Sequence, residues 1–156
     1  MSAMENSDQL WEVEAAPETS AAGLPMADWW RRFAALVIDI AIMWVPLGFL
    51  TRDMGRIPGF FVGVAVGVTY FSLLNGGRRG QTLGKMVWDV RVRDAATGGP
   101  LGVPKAAIRY LAPTLLVLIP ILGFFLWLAD GVWPLWDRRR QAVHDKLAGS
   151  VVVSAR

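Results

Sequence analysis

The sequence predicts an all-α integral membrane protein, a small helical bundle of three to four membrane segments with a short cytoplasmic β-hairpin or sheet element. Three observations predict it. Apolar residues make up 54% of the chain and charged residues 19%, where soluble domains average about 45–50% and 25%. Long apolar runs recur along the chain with few charges inside them. Eight tryptophans are present in 156 residues, and Trp favours the membrane–water interface. The absence of cysteine rules out disulfides, cysteine-ligated zinc and thiol catalysis.

Charge divides the chain into two parts. Residues 1–28 carry six acids and no Lys or Arg, whereas residues 29–156 carry all 16 bases and seven acids. Residues 1–25 read as a disordered acidic tail, rich in Ala, Ser and Pro and without periodicity. The tail lacks the basic flank and short apolar core of a secretory signal. Residues 26–153 form the membrane domain. A sequence pI near 9.8 raises nucleic acid as a partner. Bases interleaved with apolar runs instead suit loops facing anionic lipid, so lipid is the expected partner and nucleic acid is not.

The first span covers about residues 30–50. Phe33 to Leu50 is 18 residues with one charge, Asp39, or about 27 Å of helix, near the hydrocarbon thickness. The second covers about 57–75. Gly55, Gly59, Gly63 and Gly67 recur there every four residues. Such a stripe lets a neighbouring span or protomer approach closely. Between the spans and the next apolar stretch, Trp88, Val90 and Val92 alternate with Asp89, Arg91 and Arg93, a strand period. Ser150 to Ser154 is a second β-prone run, and the two can pair outside the bilayer.

The third stretch, about 106–136, is too long for one upright span and too short for two. Pro113, Pro120 and Pro134 interrupt it, and Asp130-Gly131 reads as a break in its far part. It is either one long span or a hairpin folding back near Pro120. Charge favours the hairpin. Folding back gathers 14 of the 16 bases on one side and leaves Arg52 and Arg56 on the other, as the positive-inside tendency asks. The expected location is therefore a bacterial plasma membrane, crossed several times, with both termini cytoplasmic.

Asp39 is the sharpest single signal. A carboxylate at this depth costs about 2.5–3.5 kcal/mol on insertion scales and calls for a partner or a wet path. It reads either as a proton- or cation-binding group or as a buried polar clamp between spans. Arg32 shares its helix face seven residues earlier, about 10.5 Å along the axis, too far for a direct pair. Gly80-Gln81-Thr82-Leu83-Gly84-Lys85 imitates a phosphate loop but has Arg79 where the first glycine belongs and Met86 where Ser or Thr is required. His144 stands without cysteines or clustered carboxylates, so no metal and no cofactor is expected. Catalytic spacings are missing too, and the chain is expected not to be an enzyme.

Three segments together, Arg32 to Asp39, Gly80 to Lys85 and Arg140 to Val153, closely resemble the RDD family of bacterial membrane proteins. The resemblance covers about residues 26–153. It maps the family's arginine onto Arg32, its first aspartate onto Asp39 and its second onto Asp145, with Asp137 nearby. Ser150 stands where many members have Thr. The resemblance implies Arg32, Asp39 and Asp145 as one charged cluster, with Gln81, Lys85 and His144 in supporting motifs, and suggests transport of unidentified ligands. The expected roles are therefore transport of a small ligand or ion, with a proton or cation at Asp39, or a non-transporting membrane scaffold. A few short spans seldom enclose a path alone, so a homo-oligomer or another membrane subunit is expected.

Overall fold

The computed structural model describes residues 23–116 and 118–155. Most of the acidic tail therefore lies outside the described residues, but its last part is already ordered by pairing. Ser154 N donates to Pro25 O at 2.9 Å, and Met26 bridges Val153.

The chain is mostly helical, with a small two-stranded sheet. Helix α1, Trp29–Thr51, runs 23 residues, about 35 Å. Pro46 lies inside it without ending it. Helix α2, Arg56–Gly76, runs 21 residues. Both are long and apolar enough to cross a membrane. The buried positions of α1 are Ala35, Asp39, Met43 and Leu47, a single stripe at four-residue spacing. The rest of its apolar surface faces outward: Phe49 is 69% exposed and Leu50 73%, and Phe61 on α2 is 65% exposed. A helix apolar all round in water would be buried in a core.

Helix α3, Leu83–Val87, is one short turn laid against α1. Its Gly84 makes the approach possible. A Cβ there would overlap the Ala35 carbonyl oxygen and come within 3.0 Å of the Asp39 carboxyl carbon. Gly84→Ala is therefore expected to cost about 1–3 kcal/mol by overpacking. Gly48→Ala, with nothing within 4 Å, is expected to stay within about 0.5 kcal/mol of wild type. Thermal unfolding in detergent compares the two, and equal midpoints would contradict the close contact.

Strand β1, Val90–Asp94, pairs antiparallel with β2, Ser150–Ser154, in the register Val90↔Ser154, Val92↔Val152, Asp94↔Ser150. The strands are distant in sequence, so the element is a closed-over sheet and not a hairpin. Val90, Val92 and Val152 join Ala27, Ala35, Leu101 and Ala106 in the main core. Strand β2 is buried on both faces, because Met26 and Leu24 cover Val151 and Val153 from the other side.

The third apolar stretch is two helices, α4, Val103–Leu116, and α5, Leu122–Val132. The turn between them contains Pro120. At 14 and 11 residues they reach about 21 and 16 Å. The Asp130-Gly131 pair does not break the stretch. Helix α5 runs through both to Val132, and its first departure from α geometry is the 3-10 turn Trp133–Leu135. Helix α6, Val143–Leu147, then leads into β2. Helices α4 and α5 both reach α6: Arg109, midway along α4, contacts Asp145, and Asp130, near the end of α5, contacts His144.

The glycine stripe faces neighbours within the chain at three positions. Gly63 lies against Trp44 of α1. Gly67 lies against Tyr110 of α4, whose ring stacks on Phe71 at 5.1 Å. Gly59 sits near Thr51, and Gly55 precedes α2 with open space around it.

Candidate functional site: two charge clusters on one cavity

The first cluster is built around Asp39, whose side chain is almost fully buried on α1. Its Oδ1 accepts hydrogen bonds from the Tyr70 hydroxyl and the Gly84 amide, each at 2.8 Å. Its Oδ2 accepts from the Thr82 hydroxyl at 2.5 Å. Tyr70 comes from α2, while Thr82 and Gly84 belong to the loop that imitates a phosphate site. That loop folds around a carboxylate of its own chain. Gln81 Nε2 donates to Val90 O at 3.1 Å and ties the loop to β1. Lys85 donates to Asn75 Oδ1 at 2.5 Å. Burial lowers the Lys85 ammonium well below its ordinary value and Arg109 repels it further, against the attraction of Asp39 and Asp145.

The second cluster is built around Asp145 on α6. Arg109 Nε donates to its Oδ1 at 2.6 Å, Ser150 Oγ at 3.0 Å, and the Ala142 amide to Oδ2 at 3.2 Å. Arg32 Nη1 stands 3.7 Å from Oδ2. Burial alone would raise this carboxyl. Arg109, His144, Arg32 and the Ala142 amide more than offset it and hold the group well below the usual carboxylate range. Arg32 also donates to three backbone carbonyls, Ala27 at 3.2 Å, Arg140 at 2.5 Å and Val152 at 3.0 Å. One guanidinium thus joins the start of α1 to the C-terminal motif and β2. His144 Nδ1 lies 2.5 Å from Asp130 Oδ2, and its amide donates to Asp130 Oδ1 at 2.9 Å.

Arg32 and Asp39 share a helix face but not a partner, so the expected single cluster is two. Asp137 stays outside both. It accepts from Lys146 and from the amides of Arg139 and Gln141. The sequence assigns no role to Tyr70, Thr82 and Asn75, which carry no charge, or to Arg109, which is one of 16 bases. Asp130 had a signal, since it is a second carboxylate in an apolar stretch.

Both clusters border one cavity of about 700 Å³ between α1, α2, α4 and α5. Arg32, Asp39, Asn75, Lys85, Arg109, Asp130, His144 and Asp145 form its polar end. Phe33, Leu36, Trp44, Phe60, Phe71 and Trp127 are among its apolar walls. The volume falls within the roughly 300–1,000 Å³ of small-molecule sites.

The RDD family model matches residues 26–149. Proline-rich antigen of Mycobacterium leprae (strain TN) is 35% identical over 75 residues, 48% of this chain and 27% of that protein. The proline-rich antigen homologs of Mycobacterium tuberculosis strains CDC 1551 / Oshkosh and ATCC 25618 / H37Rv are each 34% identical over 77 residues, 49% of this chain and 29% of those proteins. The match thus spans less than a third of the length of these curated relatives. No solved structure matches. With the family model covering most of the chain, the chain belongs to the RDD family.

Proposed function

We propose that this chain is a multi-pass protein of the bacterial plasma membrane, not an enzyme, that admits a small ligand to the cavity between its helices and carries it across the bilayer. Helices α1 and α2 are the full spans. Helices α4 and α5 form a shorter hairpin whose tip stays in the membrane, and both termini are cytoplasmic. The outward apolar faces of α1 and α2 support the membrane setting. The cavity carries the transport reading, because an apolar chamber with a charged end is built where the helices meet the sheet. Such a path is completed by a second copy or another membrane subunit, alongside lipid.

A scaffold is the second reading, and the full occupation of Asp39 favours it. Three protein donors take up its two oxygens, which suits a clamp better than a proton or cation site. One experiment separates the readings and uses the absence of native cysteine. Leu36→Cys on the cavity wall and Phe49→Cys on the outer face are reconstituted in liposomes and treated with a membrane-impermeant thiol reagent from either side. Transport predicts labelling of Leu36→Cys from both sides and no labelling of Phe49→Cys. Labelling from one side or neither overturns transport and leaves the scaffold.

A further inference from the structure

The cavity's polar end holds two cations with donors to spare. Arg109 engages the protein through Nε on Asp145. Among the described residues its two terminal nitrogens have no hydrogen-bond acceptor, although its side chain is 11% exposed. The Lys85 ammonium has three protons and one acceptor, Asn75. The carboxylates on the same cavity are already engaged. Asp39 is taken by three neutral donors, Asp145 by Arg109 and Arg32, and Asp130 by His144. What this end still offers an incoming molecule is therefore donor capacity with positive charge.

The rest of the cavity offers apolar contact, and it is continuous with the outside of the bundle. Phe33, Trp127 and Leu128 line it and are 52%, 41% and 45% exposed. A molecule can lie with one end among cations and the other among side chains that also face the surroundings.

Resting on the transport-cavity reading above, we propose that the ligand is a single-tailed amphipathic anion drawn from the surrounding bilayer, its acidic head held by Lys85 and Arg109 and its tail lying along Phe33 and Trp127. Charge-assisted bonds from a fixed guanidinium and an ammonium suit a carboxylate or phosphate head. A negative charge arriving beside Lys85 also favours the ammonium that burial disfavours.

The test uses the full chain in phosphatidylcholine nanodiscs and three probes with one tail: dansyl-labelled undecanoate, its primary amide and the matching alkylamine. Empty discs correct for partitioning. The expected result is saturable binding of the carboxylate at least tenfold tighter than of the amide or amine. Lys85→Gln, which can still bond Asn75, should weaken the carboxylate about tenfold, and Lys85→Arg should restore it. Val64→Trp, filling the cavity, should abolish binding of all three. Should Lys85→Gln fail to fold, the comparison of heads on wild type decides alone. Equal binding of carboxylate and amide overturns the anion assignment while leaving the cavity reading standing. No saturable binding of any probe overturns the proposal, and two-sided labelling of Leu36→Cys then shows whether transport survives it. Displacement of the probe by acetate at equal concentration overturns the role of the tail.

Discussion

Asp145→Ala is expected to lower the stability of the folded chain by about 3–5 kcal/mol, the usual loss when one partner of a buried ion pair is removed. Asp145 is 1% exposed, and the guanidiniums of Arg109 and Arg32 facing it are 11% and 12% exposed. Removing the carboxylate leaves two buried cations facing each other, leaves the Ser150 hydroxyl only the longer bond to the Asp145 carbonyl and frees the Ala142 amide that opens α6. Thermal unfolding in detergent, followed by circular dichroism, reads the loss. Asp53→Ala, at an 87% exposed side chain, should change little. The double variant Asp145→Leu with Arg109→Leu should be less damaged than Asp145→Ala, because one stranded charge goes with its partner. Acid should reproduce part of the effect. The Asp145 carboxyl titrates well below its unfolded value of about 3.9. Its contribution is therefore complete above that value and lost as pH falls toward the folded one. Wild type should lose stability through this acid range more steeply than Asp145→Asn. A midpoint for Asp145→Ala within a degree of wild type would contradict the network.

Asp39→Ala is expected to cost at least about 3 kcal/mol, since leaving a buried donor unmet costs about 1–3 kcal/mol and three donors lose their acceptor at once. Asp39→Asn should cost less. It keeps the volume and one acceptor oxygen, and the Thr82 hydroxyl can turn to accept from the new amide. The predicted order of melting temperature is wild type, then Asn, then Ala. Hydrogen exchange gives a local reading, because the Gly84 amide bonds Asp39 directly. That amide should exchange faster in Asp39→Ala than the amides of β1. Unchanged protection of Gly84 with unchanged stability would show that Asp39 does not hold the loop.

The fold was legible where a local pattern decides structure. Helices α1 and α2 follow from apolar length, and β1 from alternation of Val90 and Val92 with Arg91 and Arg93. The fold-back near Pro120 followed from charge balance, a global argument that needs no contact. Partnerships were less legible because they join distant, often uncharged groups. Asp39 invited a search for an opposite charge and found Arg32 on its own face, yet its donors are Tyr70, Thr82 and Gly84, the last 45 residues away. Nothing in Tyr or Thr marks it as the partner of a buried carboxylate. Asp130 was hidden by Gly131, which suggested a break, although helix propensity is a weak prior inside an apolar helix. The glycine spacing gave a helix face but not its neighbour. Gly63 meets α1 and Gly67 meets α4, so one stripe serves two contacts.

The sheet also orders events during synthesis. Strand β1 has its partner only at residues 150–154, and two of the carbonyls that Arg32 binds lie 108 and 120 residues beyond it. Until that segment leaves the ribosome, α1 and α2 are already made while Arg32 and Arg109 lack Asp145. The sheet and its charge network are therefore assembled last, and the segment that supplies β2 also carries, on α6 just before it, Asp145, the counter-charge for both arginines. Formation of the first helices and completion of the polar network are separate steps in time, and β2 is the latch that ends the second.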